Sequence, residues 1–148
     1  MRTGILVVTA LLAVLCCERA ARAQALQCSK GDFEGVVDEA AGALRALNQK
    51  NTPPFQVRLR QLKDKRGWSH DQFLKEAAPF VRDDTIAGFD QKSEDFLLRI
   101  TTGGQTGAGE APDCALLAEL RATMKRLVET QQAKWAYMFA KIDKELGR

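Results

Sequence analysis

The chain holds 148 residues, with 22 Lys and Arg against 19 Asp and Glu, one His and four Cys, for a formal net charge of +3. That near balance removes any argument for a nucleic-acid partner from overall charge. A single histidine excludes a multi-histidine metal site, and no cysteine or carboxylate cluster stands at metal-ligand spacing.

Met1, Arg2 and Thr3 form a short n-region with one positive side chain. Gly4 to Cys17 then carries no charge and is built on Ile5, Leu6, Val7, Val8, Leu11, Leu12, Val14 and Leu15. The run falls short of the roughly 20 residues that a membrane-spanning helix needs. A positive start, a short apolar run and a small-residue site, in that order, predict a cleavable export signal over residues 1–23. Ala21-Arg22-Ala23 and Ala23-Gln24-Ala25 both offer the small-x-small pattern, so the mature chain is expected to begin at Gln24 or Leu26. A buried N-terminal helix of a cytosolic protein would not account for that order. Cys16 and Cys17 close the run, but Leu15 and Cys16 precede them where lipidation needs a small residue, which disfavours a lipoprotein anchored through Cys17. The Ala-rich cleavage region favours a periplasmic address over a eukaryotic secretory route.

Cleavage leaves two cysteines, Cys28 and Cys114. An oxidising compartment favours their pairing. The bridge would close a loop of about 87 residues, worth on the order of 4–5 kcal/mol in the chain-entropy model. Residues 24–148 are enough for one domain with one core. Loss of Arg2, Arg19 and Arg22 against Glu18 takes the formal charge from +3 to +1. No second apolar run of spanning length follows, so the mature protein is expected to be soluble, without a transmembrane segment.

Helical patterning dominates the rest. Ser29 and Asp32 make an acidic capping box. Phe33, Val36, Val37, Ala40, Leu44 and Leu47 recur behind it at helical spacing. This first helix is expected to end at Asn48–Asn51. Thr52 and Pro53 then read as N-cap and first residue of a second, short helix that carries Phe55, Leu59 and Leu62 and ends at Gly67. Ser69 and Gln72 form the clearest capping box, with Trp68 and Phe73 in the two positions of a hydrophobic staple. The helix they open is expected to turn Phe73, Leu74, Ala77 and Ala78 inward and to break at Pro79. Asp83 or Asp84 caps the next helix, whose inward set is Ile86, Phe89, Ser93, Phe96, Leu97 and Ile100. Residues 101–111 hold four glycines and no large apolar side chain, which predicts a mobile surface loop. No phosphate-binding glycine motif is present there.

Pro112 is expected to open the last helix, with Asp113 at the positive end of its dipole. Its stripe runs from Leu117 to Leu146 and is interrupted only at Gln131. About 35 helical residues would span roughly 50 Å, so this helix should kink or project. No stretch alternates with period two, so no strand is expected. The fold class that follows is all-α: a small bundle of four to five helices with a long C-terminal helix, stapled by one Cys28–Cys114 disulfide.

Candidate chemistry is sparse. His70 falls at the first position of a helix and reads as a surface residue. Met124 and Met138 lie on the apolar stripe, where core packing explains them. Nucleophilic catalysis needs a base held by a third group, and none is spaced for it. Paired acids such as Asp83-Asp84 and Glu94-Asp95 stand where helix N-termini attract acids for structural reasons. Neither an enzyme nor a bound cofactor is therefore expected. Arg58, Arg60, Lys63, Lys65 and Arg66 form the most suggestive surface, suited to an anionic partner unless they merely solvate a helix. Tyr137 falls off the apolar stripe and is expected near the surface.

The resulting expectation is a periplasmic or secreted, non-enzymatic module that binds a protein or an envelope component in a stress-protective role and can self-associate. The alternative is a carrier that holds a small hydrophobic or lipid ligand among Phe33, Phe55, Phe73, Phe89, Phe96 and Trp135.

Overall fold

In the computed structural model, which describes residues 28–109 and 111–148, Ser29 accepts from the Asp32 amide and Asp32 accepts from the Ser29 amide at 2.8 Å. That capping box opens helix α1, Lys30–Arg66. Residues 1–23, both cleavage points, Cys16 and Cys17 lie outside the described residues. After α1 come the short α2, His70–Glu76, a 3-10 turn, Ala78–Phe80, then α3, Asp84–Gly107, and α4, Cys114–Leu146. Ser69 caps α2 with the reciprocal bond from Gln72, and Asp83 caps α3 by accepting from Ile86 N at 2.8 Å. The long C-terminal helix is present, no strand occurs among the described residues, and the chain is all-α.

α1 is one helix where the sequence predicts two. Pro53 and Pro54 lie inside it. A helix-interior proline forfeits a backbone hydrogen bond and costs about 3 kcal/mol. Here the carbonyls that lose their donors belong to Gln49 and Lys50, both exposed, so water can take the place of the missing N–H groups. Burial on either side keeps the axis running. Ala40 lies ahead of the prolines and Phe55 and Leu62 beyond them, all at or below 4% exposure.

α3 also continues where the sequence predicts a loop. Residues 101–107 are its last two turns, and only 108–113 connect it to α4. The glycines are there because neighbouring helices come close. A β-carbon on Gly107 would fall 2.1 Å from Phe33 Cε1, one on Gly104 2.8 Å from Val37 Cγ2, and one on Gly103 2.6 Å from Leu120 Cδ2. Asp113, rather than Pro112, is the cap of α4 and accepts from the amides of Ala115 and Leu116. α2 turns no residue fully inward; Leu74 is 62% exposed.

The disulfide fixes the topology. Cys28 and Cys114 are bonded, with Cα atoms 5.6 Å apart, so α1 and α4 start side by side. They also finish side by side, since Lys65 Nζ donates to the carbonyls of Glu145 and Leu146 at 3.0 Å. α1 and α4 are therefore parallel, and α3 runs between their ends in the opposite sense. At 1.5 Å per residue α1 and α4 are both roughly 50–55 Å long and α3 about 36 Å. The end of α4 accordingly does not project; α1 flanks it, and α2 with the 3-10 turn occupies the length that α3 leaves open.

Two apolar cores stack along the axis. One, at the disulfide end, is centred on Phe33, Ile100, Leu117 and Leu127, and the other on Phe55, Leu62, Ile86 and Ile142. Between them Ser93, 5% exposed, accepts from Gln131 Nε2 at 2.7 Å and donates to the Phe89 carbonyl at 2.9 Å. The polar interruption of the α4 stripe is thus answered from α3, as a buried polar group requires.

Candidate functional site

The basic stretch at the end of α1 is largely committed to its own fold. Arg58 pairs with Asp143 at 3.0 Å and lies over the Phe139 ring, 4.5 Å from its centroid. Arg66 pairs with Glu145 at 2.5 Å. Lys65 caps the last carbonyls of α4, where a cation also suits the helix dipole. Lys63 sits 5.9 Å from the Phe73 ring centroid. Of the five, Arg60 alone has no hydrogen bond, ion pair or ring contact of its side chain among the described residues, and it is exposed. Four of the five residues read from sequence as suited to an anionic partner thus make contacts within the fold.

The other charged centre is Asp83. Its carboxylate accepts from Lys141 Nζ, from the Ile86 amide and, at 2.8 Å, from the Tyr137 hydroxyl. These bonds, with Lys141 the largest influence, hold its pKa down at about 2. Tyr137 is accordingly half-buried and anchored rather than free at the surface. Asp83 is a structural hub: its bond from Ile86 caps α3, while its bonds from Lys141 and Tyr137 hold the start of α3 onto α4.

The aromatic residues do not enclose one cavity. Phe55 packs edge-on against Trp135 and Phe139, with centroids 5.8 and 5.4 Å away. Phe33 and Phe96 belong to the other core, Phe89 leans on Tyr137, and Phe73 lies under Lys63. His70 is exposed at the first position of α2. Among the described residues no group of three His, Cys, Asp or Glu side chains could hold a metal ion. No helix among them is long and apolar enough to cross a membrane.

Open space is found instead beside the glycines. Shallow grooves flank α3 at the disulfide end, with Gly104 on one and Gly103 on the other. One, of about 620 Å³, lies between α1 and α3, floored by Phe33, Val37 and Gly104 and rimmed by Lys30, Glu34 and Asp38. The second, of about 470 Å³, lies between α3 and α4 and is walled by Leu98, Leu116 and Leu120 above Thr102, Gly103 and Thr106. Leu98 is 66% exposed, the most of any large apolar side chain among the described residues. Sequence reading missed both grooves. The available signal was the one-sided spacing of Gly103, Gly104 and Gly107 directly after an apolar helical stripe.

No protein-family model, curated protein or solved structure matches this chain.

Proposed function

We propose that this is an exported, non-enzymatic interaction module that presents the α3/α4 groove to a protein partner of the cell envelope. One observation carries the reading: a disulfide-pinned end that leaves Leu98 exposed on the wall of an apolar groove. An apolar groove with an exposed apolar wall is a geometry into which a partner helix can lay its own apolar face. The disulfide is compatible with an oxidising compartment, in line with the export signal read from residues 1–23.

A photoreactive amino acid placed at position 98, in cells of the native host, tests the proposal. It should form one discrete protein adduct, while the same group at exposed position 92 forms none. Substituting Leu98→Glu elsewhere in the same cells should release that partner and leave the fold intact. Equal labelling at 92 and 98, or no protein adduct at 98, would contradict it. The carrier reading rests on the same apolar groove walls. Native mass spectrometry of the gently isolated protein decides for it if a stoichiometric small-molecule adduct remains.

A further inference from the structure

The polar clasps of the bundle are concentrated at one end. Where α1 and α4 finish, Arg58–Asp143, Arg66–Glu145, the Lys65 bonds to two carbonyls, and the Lys141 and Tyr137 bonds to Asp83 all cross between elements. Lys134–Asp90 adds one more toward the middle. At the other end the inter-helix ion pair among the described residues is Arg121–Asp32 at 3.3 Å, between exposed side chains. Exposed pairs of that kind, Arg66–Glu145 included, contribute little, and the half-buried Arg58–Asp143 and Lys141–Asp83 pairs have no counterpart at this end among the described residues. The covalent bond between Cys28 and Cys114 stands in their place.

That end also contains the helix with the weakest intrinsic preference. The last turns of α3 read Thr101-Thr102-Gly103-Gly104-Gln105-Thr106-Gly107. Relative to alanine, each glycine costs a helix about 1 kcal/mol and each threonine up to about 0.7. α1 and α4 end on left-handed Gly67 and Gly147, whereas α3 ends on Ala108 at φ −84° without such a cap. These turns are helical because Phe33 and Val37 of α1 and Leu120 of α4 close on them from two sides. Whatever lets the N-termini of α1 and α4 part removes that support.

We infer that the Cys28–Cys114 bridge is a redox latch for this end alone. Reduction by an external protein dithiol opens it: one thiolate attacks a bridge sulfur, the Cys28–Cys114 bond breaks and a mixed disulfide forms. The second thiol of the reductant then resolves the mixed disulfide. Cys28 and Cys114 leave as thiols, and the two electrons and two protons come from the dithiol, which becomes a disulfide. Both cysteines are half-buried, within reach of such an attack. The opened end releases residues 101–113 and uncovers Phe33, Ile100, Leu117 and Leu120, while the clasped end stays folded. The latch stands independently of the partner proposed above.

Hydrogen exchange followed by mass spectrometry tests it on the oxidised protein, on the protein reduced with dithiothreitol, and on the Cys28→Ser/Cys114→Ser variant. Amides in 100–117 and 30–40 should exchange at least about 100-fold faster after reduction, and those in 84–93 and 134–146 less than about 3-fold faster. The double variant should match the reduced protein, with or without dithiothreitol. Equal acceleration along the whole chain would make the bridge a global staple and overturn the latch. Unchanged exchange in 100–117 would overturn it as well.

Discussion

Gly107 and Gly88 lie in the same helix and predict opposite responses to the same substitution. The Gly107 α-carbon faces the Phe33 ring, and a methyl group there meets ring carbons 2.1 to 2.8 Å away. Phe33 is fully buried and cannot swing aside. Gly107→Ala should therefore destabilise by about 1–3 kcal/mol through overpacking, despite the better helix propensity of alanine. Gly88 is exposed with open space beside it, so Gly88→Ala should stabilise by about 0.5–1 kcal/mol. Chemical denaturation of the two variants checks both signs. Asp83 is the residue whose charge is tied most closely to the fold. Its pKa falls from 3.8 to about 2 because Lys141, the Ile86 amide and Tyr137 donate to the carboxylate. A depressed folded pKa means stability that is present above the unfolded value, near pH 4, and lost as pH falls toward 2. Asp32 is shifted the same way, chiefly by its bond from the Ser29 amide. Thermal melts should show stability falling over pH 4 to 2, and Asp83→Asn should be less stable at pH 7 and lose less over that window. A variant with the wild-type pH slope would remove Asp83 from this role.

At the scale of the element, α1 is the sharpest test. Had the chain broken at Asn51, Pro53 would occupy a first helical position, which favours proline, and its replacement would destabilise. In a continuous helix the same proline withholds an N–H. Pro53→Ala should then stabilise by about 1–3 kcal/mol. The sign of the change in denaturation midpoint separates the two arrangements. Helix beginnings were legible in the sequence because their logic is local: Ser29 with Asp32, Ser69 with Gln72, and Asp83 each find their partners within three residues. The pairing of Cys28 with Cys114 was legible from compartment chemistry, since only two cysteines survive the expected cleavage. What sequence reading misplaced depends on distant partners. The prolines are tolerated because Phe55 docks against Trp135 and Phe139 on α4, and the glycines stay helical because Phe33 and Leu120 close on them. The basic stretch likewise meets its acids, Asp143 and Glu145, some 80 residues away.

At the scale of the whole molecule, the described residues form a rod of two stacked cores, each capped differently. Ser93 and Gln131 mark the boundary between them. One end is fastened by charges and helix caps, the other by a covalent bond beside open grooves. The bridge is compatible with an oxidising compartment, so the proposed export and the disulfide are tested together. Intact-mass measurement of the protein purified from its native host, without reductant, tests that pairing most directly. An exported and oxidised protein gives a chain beginning at Gln24 or Leu26 and lighter by two hydrogens than its sequence mass. A chain that still begins at Met1 with both Cys28 and Cys114 as free thiols would contradict it.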